Sequence, residues 1–458
     1  MTRRQTIATA SLAVALVAAA GLWLALRPAR RPNILLVTID TLRADHCSTY
    51  GYAKPTTPHL DRLAREGVVF EAAYAPMATT GPSHASMFTG LPPRSHGLLK
   101  NGQLLRPELR TLAESLGALG YDTAAFVSSY VLNHSFGFNR GFATYDDDFA
   151  GGRPSGRTML WEDQQVPEEF DRLADETRAR AVSWLADHGQ LAPRHGAAPF
   201  FLWVHLFDPH YPYDPPREHR LFSPAGDASE IEVSKAAYDG EIHFADAELG
   251  KLVGALEAAG RLDDTLLIVV GDHGEGLMDH GHMYHGLMLY EEAVRVPLVI
   301  RWPKRLRPHR VREPISLVDL ASSLLVLAGQ AQSSGVAGDA SLVPRLRGAA
   351  GDPEGPVFLE RRHYEAGVVR GFSVKGVKLG VRKGRFKYIE APEEGTSELY
   401  DLAADPGERT NLQPQQPQLV RELAGLLEAW VARTPAAPAQ PMLSEEATER
   451  LRSLGYVK

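Results

Sequence analysis

The chain has 458 residues, with 49 Lys plus Arg against 56 Asp plus Glu and a formal net charge of -7. That balance offers no basic face for a nucleic-acid partner, and the single cysteine, Cys47, excludes an internal disulfide framework and a multi-Cys zinc site. A hydrophobic fraction of 44% at this length suits one large globular α/β domain with a smaller appendage.

The first element is a targeting segment. Arg3 and Arg4 precede an apolar run over residues 7–26, long enough to cross a hydrocarbon core of roughly 30 Å as a helix. It exceeds the usual apolar region of a signal peptide, and Leu24-Ala-Leu-Arg27 is a poor cleavage site. The expectation is an uncleaved membrane anchor rather than a removed signal. Either version places the protein outside the cytoplasm, periplasmic or at the cell surface, anchored or secreted. Residues 1–32 are read as this segment and its linker, 33–346 as the catalytic domain, and 347–458 as a small α+β subdomain and tail.

Asn33-Ile-Leu-Leu-Val-Thr-Ile-Asp40 is a buried-strand run. Residues 57–67 read as a helix, with Thr57 as cap, Pro58 in the first turn and Gly67 as stop. Thr111-Leu-Ala-Glu114 is a capping box whose helix ends at Gly120. Further strands are expected at 123–127, 199–206, 265–270 and 296–300, and a long helix at 236–259. This alternation predicts a doubly wound, mainly parallel sheet. After residue 347, the alternating pattern at 376–389 predicts a hairpin and residues 418–431 a helix.

Three strands end in polar residues. The first runs into Asp40, the middle one into His205, Asp208 and His210, and the next into Asp272 and His273. Ligands of open parallel sheets bind beyond the carboxyl ends of the strands, and a carboxylate–carboxylate–imidazole set suits a divalent ion such as Zn or Mn. In Thr80-Gly-Pro-Ser-His-Ala-Ser-Met-Phe-Thr-Gly90, Pro82 is expected to open a helix, with Thr80 just before its N-terminus. Free amides and the helix dipole there favour an ionised Thr80 oxygen or a bound phosphate or sulfate. Residues 271–286 form a Gly-rich stretch holding His273, His280, His282 and His285, a density that core packing explains poorly.

These segments resemble the sulfatase family of the alkaline-phosphatase superfamily. Asn33–Asp45 resembles its opening strand and first metal ligand, and Thr80–Gly90 its nucleophile helix. Leu202-Trp-Val-His-Leu-Phe-Asp-Pro-His-Tyr-Pro212 resembles its central strand and active-site loop. Gly271-Asp-His-Gly-Glu275 resembles its second metal-binding turn, and 290–298 and 398–408 later signatures. The chain departs from true sulfatases where they carry a Cys or Ser that is oxidised to formylglycine. Thr80 stands there, and its methylated β-carbon cannot give an aldehyde. His84 stands at the motif's Arg, and His285 at roughly the position of a substrate-binding Lys.

The resemblance implies an ester hydrolase for sulfate or phosphate esters that uses Thr80 unmodified. It implies a divalent ion (Zn, Mn or Ca; one, with room for a second) at Asp40, Thr80, Asp272 and His273, with Asp208 a further candidate ligand. His210 and His285 are the expected proton donors to the leaving group. His84, Asn101, His205 and His282 are the expected substrate contacts. The competing readings are a membrane-anchored phosphoryl-group transferase acting on lipid or glycan head groups, and a homologue that binds anion or metal without turnover.

Overall fold

The computed structural model describes residues 31–149, 159–161, 164–166, 171–192, 198–224, 226–330 and 336–438. The apolar run at 7–26 lies outside these residues, and no described helix is long and apolar enough to cross a membrane.

The central sheet is built from β1 (Asn33–Ile39), β2 (Val68–Tyr74), β3 (Asp122–Phe126), β4 (Thr144–Asp146), β7 (Phe200–Leu206), β8 (Thr265–Gly271), β9 (Arg295–Arg301) and β10 (His309–Val311), while β5 (Met159–Trp161) and β6 (Gln164–Val166) form a separate ribbon. Its spatial order is β10-β2-β9-β8-β1-β7-β3-β4, with the short β11 (Ile315–Ser316) beside β2. β1 is parallel to both neighbours, β7 and β8, in the middle of the sheet. β9 alone on this path runs antiparallel to both of its neighbours, β8 and β2. The sheet is therefore mixed and mostly parallel, as the strand–helix alternation predicts.

The continuous apolar runs follow from burial on both faces. Ile34 and Leu36 point into one core with Trp203 and Ile268, and Leu35 and Val37 into the opposite core with Leu202 and Val269. Ala85, Met87 and Phe88 of the Thr80–Thr89 helix fill the first core, which fixes that helix against the strands that carry Asp40 and Asp272.

Most expected elements appear within two residues of their predicted ends. The Thr111 capping box is complete, with the Glu114 N–H donating to Thr111 Oγ1 at 3.1 Å and the Thr111 N–H to Glu114 Oε2 at 2.7 Å. Two differ. The long helix spans Glu230–Ala258, starting earlier than predicted because Ser229 and Glu232 form a second capping box. The Thr80–Thr89 helix starts at Thr80, so Pro82 is its third residue rather than its first.

The C-terminal part is an antiparallel sheet of β12 (Val357–Val369), β13 (Phe372–Lys383), β14 (Phe386–Ala391) and β15 (Thr396–Asp401), in that order. Leu423, Leu427 and Trp430 of the Pro417–Arg433 helix pack on Leu379, Val381 and Leu399 of this sheet. Leu359, Ile389 and Tyr400 pack in turn on Tyr74, Ala78 and Leu289 of the catalytic part. A fully buried Lys387 crosses the joint, with its Nζ 2.9 Å from Glu408 and 3.2 Å from Glu291. Buried ammonium and carboxylates are tolerable only when paired like this, so the joint is fixed in register as well as apolar.

Candidate active site

The topology carries the chemistry to one edge. Because β7, β1 and β8 are adjacent and parallel, their carboxyl ends bring His205, Asp40 and Asp272 side by side. Asp40, Asp272 and His273 are fully buried, and one ligand atom of each lies within 4.8 Å of the others. His84, His205 and Asp272 form a second such group that shares Asp272. The turn after Asp40 is strained. Thr41 is β-branched yet has φ 51°, a conformation costing about 1–3 kcal/mol. That turn aims the Thr41 N–H at Asp272 Oδ1 (3.1 Å), which also accepts the His273 N–H at 2.7 Å.

The other oxygens have only imidazole nitrogens near them, with His273 Nε2 3.6 Å from both Asp40 Oδ1 and Asp272 Oδ2. Asp40 Oδ1 and Asp272 Oδ2 are buried and have no hydrogen-bond partner among the described residues. Burial pushes both carboxyls above their usual range, and the Asp40 charge raises Asp272 further. Burial pulls His273 down, but Asp272 and Asp40 outweigh it and the net shift is upward. Two ionised carboxylates in such surroundings need a compensating cation. The donor set of carboxylate oxygens and an imidazole fits a divalent ion.

Thr80 faces this cluster from the first turn of its helix. Its Oγ1 lies 3.4 Å from Asp40 Oδ2 and 3.2 Å from His273 Nε2. Ser83 Oγ donates to the Asp272 carbonyl at 2.6 Å, tying the helix to the end of β8. Asn101 Oδ1 accepts the Gly81 N–H at 2.7 Å, so Asn101 stands beside Thr80 as the sequence suggests, with one function in holding that turn.

The histidines divide. His84 is enclosed and both its nitrogens are taken. Nδ1 lies 2.8 Å from the Thr80 carbonyl and Nε2 lies 3.0 Å from Thr38 Oγ1, which also accepts the Trp203 N–H at 2.9 Å. Burial pulls its pKa down to about 3. The structure thus places His84, the expected substrate contact, as a neutral brace between the Thr80–Thr89 helix and Thr38 of β1. His205 is also fully buried, its Nε2 3.5 Å from Asp40 Oδ2, with neither ring nitrogen hydrogen-bonded among the described residues; burial takes it to about 4. His210 and His285 meet with their Nε2 atoms 3.2 Å apart, and the His285 ring lies tilted against that of His273 with centroids 4.4 Å apart.

The remaining expected residues lie elsewhere. Asp208 belongs to neither carboxylate–imidazole group: its Oδ2 accepts the Ala174 N–H at 2.9 Å, capping the Ala174–Asp187 helix. His282 turns toward Phe372, with ring centroids 5.1 Å apart. His280, the fourth histidine of the stretch, is a tether between Glu292 (2.6 Å) and the Glu408 carbonyl (3.2 Å).

One buried acid carries no role in the sequence pattern alone. Glu275 is fully buried, and burial pushes its pKa up to about 8 against the pull of His273, Arg370 and the Tyr213 hydroxyl. Its place two residues beyond His273 in the same turn is the signal that could have found it.

Comparison with known proteins gives the family. The family profile described as Sulfatase matches residues 32–330, and that of the N-sulphoglucosamine sulphohydrolase C-terminal region matches residues 278–432. The N-acetylgalactosamine-6-O-sulfatase of Bacteroides thetaiotaomicron is 25% identical over 87% of this chain and 93% of its own length. Arylsulfatase A of Bos taurus is 28% identical over 92% of this chain and 93% of its own. The crystal structure of the phosphonate monoester hydrolase of Agrobacterium radiobacter superposes with a TM-score of 0.71 at 25% identity, covering 88% of this chain and 96% of that one. With two-thirds of its length matched by the family profile and a two-carboxylate, one-imidazole cluster where its central strands end, the chain belongs to the sulfatase family of ester hydrolases.

Proposed function

We propose that the chain hydrolyses sulfate or phosphate esters with unmodified Thr80 as the nucleophile, beside a divalent ion held by Asp40, Asp272 and His273. The placement of Thr80 Oγ1 carries this reading: it lies on the first turn of a helix, 3.4 Å from Asp40 Oδ2 and 3.2 Å from His273 Nε2. The ion would supply Lewis acidity, lowering the pKa of a neighbouring hydroxyl and offsetting charge on the ester oxygens.

The chain's own residues do the rest. The Thr80 hydroxyl gives up its proton along the contact to Asp40 Oδ2, and Oγ1 attacks sulfur or phosphorus in line with the leaving oxygen. Asn101, with Oδ1 engaged by the Gly81 N–H, offers its amide N–H to an ester oxygen. The bond to the leaving oxygen breaks as protonated His210 gives that oxygen the Nε2 proton it otherwise shares with His285 Nε2 at 3.2 Å, the His210 ring being held by Nδ1 on the Tyr211 carbonyl. Water then gives a proton to His210 and attacks sulfur or phosphorus, and the bond to Thr80 Oγ1 breaks as that oxygen takes back the proton from Asp40, restoring the hydroxyl.

The relatives' names span sulfated amino sugars, aryl sulfates and phosphonate monoesters, so the reading extends across sulfate and phosphate esters. It is tested by turnover of matched aryl sulfate, phosphate monoester, phosphate diester and phosphonate after reconstitution with a divalent ion. Hydrolysis of at least one, lost on chelation, is the expected result. Turnover that survives exhaustive chelation counts against it, and capture of the group by an added alcohol in preference to water would favour the transferase reading.

The general-acid role has its own signature. His210→Gln is expected to cost about 10²–10⁴-fold with an alkyl leaving group and far less with nitrophenol, which leaves without protonation. Equal losses on both would remove His210 from that role. We also propose an extracytoplasmic location directed by residues 7–26. Recovery of the full-length protein in the cytoplasmic fraction would contradict it.

A further inference from the structure

The site described so far is short of cations. Both nitrogens of His84 are engaged by Thr80 and Thr38, and those of His285 face the Ala78 carbonyl and His210. Neither presents a fixed positive charge to an anionic substrate.

A fixed charge from a distant part of the chain does reach the His-rich stretch that borders the site. β12 and β13 are joined by two residues, Arg370 and Gly371, with Val369 paired to Phe372. Two register shifts bend this hairpin along its length, and its tip docks on the His-rich loop. The Arg370 guanidinium lies 4.5 Å from the centre of the Tyr284 ring, and Phe372 packs on His282 with ring centroids 5.1 Å apart. The charge of Arg370 acts on Glu275, His282, Tyr284 and His285, all on the stretch that follows β8. Tyr284 in turn meets Tyr211 edge-to-face at 5.0 Å, beside His210. Arg370 is exposed, whereas Thr80 is buried, so the guanidinium lies on the solvent side of the His-rich stretch and not at Thr80 Oγ1.

The turn itself argues that the arginine is there for a reason other than folding. Arg370 has φ 49° and Gly371 φ 85°. A two-residue hairpin with both positions left-handed selects Asn, Asp or Gly at the first. Arginine gives nothing to such a turn and bears the strain of it. A residue that breaks a local rule beside an active site is a candidate for function.

We propose that Arg370, with Tyr284 and Tyr211, forms a subsite on the solvent side of the His-rich stretch for a second anionic group on the substrate, a carboxylate or further sulfate carried by a ring-bearing leaving group. This rests on the reading of Thr80 as the hydrolytic centre. The ring lies against the two tyrosines, and the guanidinium, already oriented on Tyr284, pairs with the anion through charge-assisted hydrogen bonds. The subsite selects dianionic substrates over those with a neutral leaving group.

The test compares a 4-nitrophenyl ester with its 3-carboxy-4-nitrophenyl counterpart in the full-length protein, wild type and Arg370→Asn. Asparagine suits the left-handed position, so the variant should melt at or above the wild-type temperature and its effects are not those of misfolding. The preference for the carboxylated ester, as a ratio of kcat/KM values, should fall roughly 10- to 100-fold, the loss of one charge-assisted hydrogen bond. Arg370→Lys should keep part of it, and Arg362→Gln, on the same hairpin, should keep all of it. A second arm measures equilibrium binding of the two free phenols and does not require turnover. If the wild type hydrolyses neither ester, the catalytic reading fails while the binding arm still decides the subsite. An Arg370→Asn protein that retains the wild-type preference in turnover, or in binding where there is no turnover, overturns the proposal.

Discussion

Thr80→Ala is expected to lower kcat by on the order of 10⁴- to 10⁶-fold, the range for removal of a hydrolase nucleophile. The variant should remain folded. Thr80 lies on the first turn, and the helix is held by Ala85, Met87 and Phe88 in the core and by Ser83 on the Asp272 carbonyl. Thr80→Ser removes only a methyl and keeps the oxygen, so it should retain activity within about one order of magnitude of wild type. The pair separates the nucleophile reading from a helix-capping one. Serine and threonine cap about equally well and alanine costs only about 1 kcal/mol as a cap loss. A capping role would therefore show as a change in melting temperature with turnover preserved. Wild-type rates in Thr80→Ala would mean that water attacks directly.

The second large effect is at Asp272. Its Oδ1 is held by two backbone amides, and its Oδ2 is buried with no hydrogen-bond partner among the described residues. Asp272→Asn should abolish ion-dependent turnover, and it should also remove a signal that does not depend on activity. In the wild type, a divalent ion at about 100 times its Kd should add roughly 2.7 kcal/mol of stability, a rise of a few degrees in melting temperature. That rise should vanish in Asp272→Asn. Without any ion, the variant should be at least as stable as the wild type, because one of two facing buried carboxylates has been neutralised. An ion-dependent rise of wild-type size in Asp272→Asn would take Asp272 out of the binding set.

The sheet and the cluster on its edge were legible because they arise from strand order. Runs such as 33–40 and 265–273 show both where a strand stops and which polar residues come next, and parallel neighbours put those ends together. The features hidden in the sequence are set by side-chain direction and by contacts far along the chain. His84 has the spacing of a substrate contact, but the helix turns it toward Thr38, a strand residue 46 positions away. Asp208 sits beside His210 in sequence, yet it faces the start of another helix. His273, His280, His282 and His285 look equivalent in a Gly-rich stretch. Their roles separate only when Glu292, Glu408 and Phe372 are packed around them. Arg370 was invisible for the same reason: its turn shows in the sequence, but the bend that carries it to Tyr284 does not.

The proposed mechanism turns on a covalent ester at Thr80. The direct measurement is acid-quenched turnover of the best substrate, followed by mass mapping of the peptide that contains residues 80–90. A mass increase of one sulfuryl or phosphoryl group on Thr80, absent in Thr80→Ala and lost on incubation with water, is the predicted result. An unmodified Thr80 peptide under conditions where a pre-steady-state burst of leaving group equals the enzyme concentration would contradict it.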